Sequence, residues 1–182
     1  MRSTKQLLAA GLLVVSGLLL AAPLAVGPAT QSKLTATFKQ EGVAVESPFT
    51  RFTGQIDYDP VNVAAATASI EVDMTSLDLG DPAYSAELVK KSWFDSAAHP
   101  RGVFKSTAIK PLAANRFEAT GQLTIKGRVQ NITVPVTVAA GAFDGSFTIS
   151  RKAFGIGDPI WEEALDDKVV VKFHLVTQGA RK

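Results

Sequence analysis

The 182-residue chain contains no cysteine. A disulfide framework, a thiolate zinc site, an iron–sulfur cluster and a cysteine nucleophile are therefore excluded. Histidine is scarce, with only His99 and His174, so an all-histidine catalytic metal site is excluded as well. An excess of charge of one sign is also missing. Without Arg2 and Lys5, which lie in the N-terminal segment, the 19 Lys and Arg fall to 17 and equal the 17 Asp and Glu. Such a chain has no general electrostatic reason to seek phosphate backbones or anionic membranes. Glycine (14) and proline (9) are ordinary, which excludes collagen and low-complexity fibres. With 46% hydrophobic and 20% charged residues the chain is no candidate for disorder. Its length suits an export segment plus one domain.

The N-terminus has the order of a secretory signal: a basic start from Met1 to Gln6, an uncharged Leu-rich run from Leu7 to Ala22, then small residues around Pro23 and Pro28. Cleavage fits after Ala22, Gly27 or Ala29. The expected division is a signal peptide over 1–29 and a domain over 30–182, with a periplasmic location. An uncleaved membrane anchor is the alternative, but the apolar stretch reaches the ~20 residues a bilayer needs only by including both prolines.

From Ser32 onward two-residue alternation dominates. Leu34, Ala36 and Phe38 share one parity. So do Phe52, Gly54, Ile56 and Tyr58; Ala66, Ala68, Ile70, Val72 and Met74; and Phe117, Ala119, Gly121, Leu123 and Ile125. Further stripes are Ile132 to Val138, Phe143 to Ile149 and Val169 to Leu175. With a shorter Val103–Ile109 segment this predicts about eight strands, a number suited to a small closed barrel. Asp81-Pro82 signals a helix start. A short helix is expected over 82–91, with Glu87 and Lys91 paired at i, i+4. An aromatic loop, Trp93-Phe94 to His99-Pro100, follows it.

The alternation establishes one dry face. Gly54, Gly121 and Gly145 sit on that parity, where glycine marks either a barrel bend or close approach of a ligand. The dry face is thus a cavity or a self-filled core. An outer-membrane barrel with its apolar side toward lipid has the same parity. The polar, basic end Gln178–Lys182 and the absence of paired aromatic girdles weigh against it.

Chemical motifs are few. Gly155-Ile156-Gly157 is no nucleotide loop, because no helix is expected after it and Pro159 intervenes. Glu162, Glu163, Asp166 and Asp167 read as a solvated rim, with weak calcium binding as the other option. Lys126-Gly127-Arg128 reads as a hairpin turn. His174 has outward parity. His99 reads as loop packing and is the only side chain left for proton transfer. No Gly-x-Ser-x-Gly elbow occurs, and basic residues are not striped with aromatics as nucleic-acid binding would need.

Several segments, in order, resemble the YceI-like proteins. They are Phe52-Thr53-Gly54-Gln55-Ile56-Asp57-Tyr58-Asp59-Pro60, Glu71 to Asp78, Trp93-Phe94-Asp95 with His99-Pro100, Val103 to Thr107, Gly121 to Gly127, Val134-Pro135-Val136 and Phe154 to Gly157. The resemblance implies an all-β, eight-stranded antiparallel lipocalin-like barrel with one short helix. It implies a non-enzymatic binding protein that sequesters or carries a long amphiphile, a polyisoprenoid or an isoprenoid quinone. No cofactor is implied beyond such a bound lipid, and no metal. Transient membrane contact and a homodimer are compatible with it. The candidate tunnel lining is Phe38, Phe52, Ile56, Ile70, Val72, Phe104, Phe117, Leu123, Phe143, Phe147, Val171 and Phe173. Trp93, Phe94, Phe154 and Trp161 are the mouth candidates, where an indole N–H can meet a polar head group. The competing reading is an interaction or stress-protection module whose barrel is filled by its own side chains.

Overall fold

The computed structural model describes residues 23–177. Its strands are β1 (Leu24–Val26), β2 (Lys33–Gln40), β3 (Val43–Pro48), β4 (Phe52–Asp57), β5 (Thr67–Asp73), β6 (Arg101–Ala113), β7 (Arg116–Ile125), β8 (Arg128–Ala139), β9 (Ala142–Ser150) and β10 (Lys168–Val176). One α-helix, α1 (Pro82–Leu88), lies between β5 and β6. The strands form a single sheet in the order β1-β4-β5-β6-β7-β8-β9-β10-β2-β3, and every ladder is antiparallel. The sheet curls round one interior as a barrel-like wall. Its edges are β1 and β3, and no ladder joins them among the described residues.

Local chemistry explains the tight links. Glu41-Gly42, Lys126-Gly127 and Ala140-Gly141 connect β2 to β3, β7 to β8 and β8 to β9, and all six residues have positive φ. That is the geometry of two-residue turns whose twist matches the flanking strands, so Lys126-Gly127 is a hairpin turn as read. The Asp81 side chain accepts a bond from Ala83 N at 2.7 Å and caps α1. The helix stops at Leu88, short of the expected Lys91, and Glu87 pairs with Lys90 rather than Lys91.

The fold has ten strands where the alternation predicts eight. Part of the difference is β1, which falls inside the 1–29 segment assigned to export; residues 1–22 lie outside the described region. The other extra strand, β3, falls between Lys39 and Phe49, where no alternation predicts a strand. It is an edge strand bonded on one side only, and its apolar residues Val43, Ala44 and Val45 do not alternate. Pro48 is tolerated there because an edge strand needs fewer N–H donors.

The segment read as a short fourth strand belongs to the longest strand in the sheet, 13 residues from Arg101 to Ala113. Its register against β7 shifts between Ser106 and Ala108, leaving Thr107 as an extra residue. A bulge of this kind moves the inward set to the other parity. Phe104 and Ile109 therefore both face inward although their numbers differ in parity.

Elsewhere the expected parity holds. Leu34 and Ala36, Phe117, Ala119, Leu123 and Ile125, and Val134 and Val136 are buried. Their neighbours Lys33, Gln122, Thr133 and Pro135 are exposed. The apolar stripe faces the inside, so the outer-membrane reading is excluded. Buried side chains form two clusters, one around Phe52, Phe117 and Phe143, the other around Met74, Trp93 and Phe154.

Candidate functional site: an apolar cavity with one mouth

Strands β2 to β10 and α1 enclose a cavity of about 450 Å³. That lies within the ~300–1,000 Å³ usual for small-molecule sites. Its wall is almost entirely hydrocarbon, because each strand points its apolar parity inward.

The three glycines on that parity resolve the choice between bend and open space. A β-carbon at Gly121 would stand 2.6 Å from two carbons of the Phe104 ring. One at Gly145 would overlap the tip of the Phe173 ring, and one at Gly54 would overlap Ile70. Gly54 pairs directly with Ile70, and Gly145 with Phe173. Each bulky side chain thus lies over the bare backbone of the adjacent strand. The glycines hold large residues against the wall and do not themselves open the lumen.

The two ends differ. At one end the Tyr58 ring stacks on Phe117 with centroids 6.2 Å apart and meets Phe143 edge-on at 5.1 Å, forming a floor. At the other end the lining includes the exposed residues Gln40, Tyr84 and Asp166. The mouth is framed by the β2–β3 turn, α1 and the 151–167 segment. Glu41 N donates to Ala164 O at 2.7 Å and Asp166 N to Lys39 O at 3.0 Å, which ties the turn to that segment.

Of the candidate lining residues, Phe38, Ile56, Ile70, Val72, Phe104, Phe117, Leu123, Phe143, Phe147, Val171 and Phe173 lie on the wall, as do Trp93, Phe94 and Trp161. Phe52 and Phe154 do not. Phe52 is buried in the cluster at the floor end. Phe154, only 1% exposed, sits on a 3-10 turn over Lys152–Phe154. The β8–β9 ladder covers only Val136–Ala139 and Ala142–Gly145. Beyond Pro135 that turn packs against both strands, which places Phe154 in structural packing instead of at the mouth. Trp93 and Phe94 are corrected in depth: both are buried, and the Trp93 indole N–H has no hydrogen-bond partner. Of the four mouth candidates only Trp161 is partly exposed on the cavity.

The sequence reading missed Arg151, whose side chain lies on the cavity wall and is 7% exposed. It continues the inward parity of Phe147 and Ile149. Its Nε donates to Asp166 O at 3.1 Å, Nη1 to Ile156 O at 3.0 Å, and Nη2 to Leu165 O at 2.8 Å and Glu162 Oε2 at 3.3 Å. Four of the five guanidinium hydrogens are thereby committed to holding one loop. A β-carbon at Gly157 would overlap Nη1, so the absence of a side chain there admits the guanidinium. Gln40, Tyr84, Leu88 and Leu165 also line the mouth without having been singled out.

Other candidates fall outside the cavity. The His99 ring packs over Gly127, 2.9 Å from where a β-carbon would stand, and is no part of the cavity wall. His174 Nδ1 meets Asp144 Oδ1 at 2.6 Å on the outer face. Within the acidic run, Glu162 pairs with Arg151 and Lys152. The Lys152 ammonium, first among these contacts, lowers the Glu162 pKa. Asp167 accepts from Ser150 Oγ at 2.7 Å and Lys152 N at 3.0 Å. Burial works against its charge, but these bonds and the nearby lysines leave its pKa lowered. Lys126 Nζ donates to Gly155 O at 2.6 Å, and desolvation lowers the pKa of its ammonium. Among the described residues no three His, Asp or Glu are placed to hold a metal ion.

Residues 27–177 match the model of the YceI-like domain. Burkholderia cenocepacia BcnA has a similar structure, with 40% identity and a TM-score of 0.77 over 80% of this chain and 95% of that one. A polyisoprenoid binding domain from Saccharophagus degradans shares 14% identity at a TM-score of 0.64, over 84% of this chain and 97% of that one. At that identity the likeness shows the fold alone. A UPF0312 protein of Vibrio cholerae is 27% identical over 122 residues, which cover 62% of this chain and 65% of the relative's length. The order of strands, the inward apolar parity and the match over 27–177 together establish that the chain belongs to the YceI-like family.

Proposed function

We propose that the protein is a periplasmic carrier or scavenger that holds the tail of a polyisoprenoid or isoprenoid quinone in its cavity and performs no catalysis on it. The observation that carries this reading is the 450 Å³ hydrocarbon-lined hollow, closed at Tyr58 and open beside α1. A barrel filled by its own side chains would have no such space. The name of the S. degradans domain supports the choice of ligand class. Arg151 supports it differently: its hydrogens are already directed to carbonyls of its own loop, so no buried cation is offered to a charged head group. Binding would follow from desolvation, at ~0.8 kcal/mol per buried methylene, or roughly 3 kcal/mol per isoprene unit before ordering costs.

The periplasmic assignment rests on the basic start, apolar run and small-residue order of 1–29. Because Leu24–Val26 pairs with β4, cleavage after Ala22 is the one of the three points that leaves β1 with the domain. Mass spectrometry of protein purified from its native source without denaturation should find a long-chain isoprenoid at near one equivalent. Protein that carries none, and whose melting temperature does not rise with added isoprenol, would overturn the proposal.

A further inference from the structure

Three exposed apolar side chains stand round the mouth, one on each element that frames it. Tyr84 on α1 is 61% exposed, Val43 beside the β2–β3 turn 67%, and Ile160 next to Trp161 80%. They continue the cavity lining outward. Tyr84 is itself part of that lining, Val43 has the parity of the inward Val45, and Ile160 adjoins the lining residue Trp161. An apolar path therefore runs from the hollow onto the outer surface at these three points, between the polar lining residues Gln40, Glu87 and Asp166. Single exposed apolar residues are ordinary, but three on separate elements at one opening form a lip.

The charges beside the lip restrict what can cover it. Glu41, Asp81, Glu87, Asp158, Glu162, Glu163, Asp166 and Asp167 outnumber Lys39, Lys90, Lys91, Arg151 and Lys152 on and beside these elements. A second copy meeting this face about a two-fold axis would set carboxylates against carboxylates. An anionic surface would be repelled in the same way. The lip's side chains also project from three separate elements, which suits a deformable partner over a rigid, shaped one. A fluid, uncharged apolar layer beneath zwitterionic head groups meets both conditions.

We infer that this lip is a docking surface for a zwitterionic lipid bilayer, placing the cavity mouth against the membrane so that a lipid tail passes between them without crossing water. The inference rests on the lipid-binding reading above, and its test separates the two. Vesicles of phosphatidylcholine are floated with wild-type protein, with Val43→Ser/Ile160→Ser, and with Val61→Ser. Val61 is 93% exposed in the β4–β5 connection at the opposite end and serves as the control. Neither Val43 nor Ile160 lines the cavity, so the double variant keeps its binding of farnesol in vesicle-free solution. The expected result is flotation of wild type and Val61→Ser, at least a tenfold loss in the double variant, and weaker wild-type flotation when phosphatidylglycerol is added at low salt. Equal flotation of all three proteins, or none for the wild type, overturns the docking surface. A concentration-dependent dimer abolished by the double variant, with no flotation, assigns the lip to a second copy and overturns it equally. Farnesol binding by wild type alongside any of those results leaves the carrier reading standing; absence of that binding removes both.

Discussion

Gly121→Ala tests whether the wall glycines set the bore of the cavity. The new methyl would sit 2.6 Å from the Phe104 Cε2 and Cζ atoms, and ordinary carbon contacts lie at about 3.5–4.0 Å. The ring must retreat by about 1 Å, and the free direction is into the lumen. Two ring carbons entering that space displace about two ligand methylenes, or ~1.6 kcal/mol at ~0.8 kcal/mol each. The dissociation constant for a long isoprenol should rise roughly fifteenfold. The methyl also overlaps the Lys105 carbonyl oxygen, which belongs to backbone and cannot step aside. A stability loss of about 1–3 kcal/mol is therefore expected as well. The two effects separate in a second variant. Gly121→Ala/Phe104→Leu removes the ring, so affinity returns toward wild type while the backbone overlap and its stability cost remain. Calorimetric titration and urea unfolding read the two quantities. Wild-type affinity in Gly121→Ala, or no recovery in the double variant, refutes the account of the glycines as seats for the rings.

Three further outcomes follow from the same geometry. Arg151→Met removes four bonds that hold 156–166 and should cost about 2–4 kcal/mol in urea unfolding, with earlier protease cleavage within 152–167; a loss of less than about 0.5 kcal/mol, the worth of one weak bond, would show the loop to be held by other means. Tyr58→Leu opens the floor by removing contacts with Phe117 and Phe143, so about 1–2 kcal/mol of stability is lost and the longest isoprenol that binds becomes longer; an unchanged length preference counts against a floor at Tyr58. The Thr75 hydroxyl, first among its partners, together with Arg51 lowers the Asp73 pKa from 3.8 to about 2. A depressed carboxylate stabilises the fold above its unfolded pKa, so that contribution is present above about pH 4 and is lost as pH falls through about 2. Its size is about 1–2 kcal/mol after allowance for the half-exposed partner. Asp73→Asn should flatten the acid limb of the stability–pH curve between those values, and an unaltered limb would assign it to other carboxylates.

The inward residues of β2, β4, β5, β7, β9 and β10 are legible because a half-buried strand must alternate, and nothing in those segments interrupts the count. The cavity lining follows from the same parity. What escapes the pattern has a physical reason in each case. Thr107 shifts the inward set by one residue, so β6 looks shorter than it is. Val43–Pro48 is bonded along one edge and needs no dry face of its own. Leu24–Val26 is apolar within the apolar stretch read as an export segment, and composition cannot separate a strand from that stretch. Arg151 was within reach, since it stands two residues beyond Ile149 on the buried parity; a cation in that position implies acceptors close at hand. Phe154 has the composition of a mouth residue, and only the short β8–β9 ladder reveals its place in the packing.

The pairing of β2 with β10 sets when the hollow can exist at all. Lys33 lies opposite His174, and Ser32 shares hydrogen bonds with Val176 across 144 positions of chain. Until that distant junction forms, the sheet is a trough whose greasy floor faces water. Such nonlocal closure makes assembly slow, because the entropy of joining remote segments is lost before their contact is gained. An apolar ligand would have no compartment to enter before β10 arrives, so binding would belong to the finished molecule and could not guide its early folding.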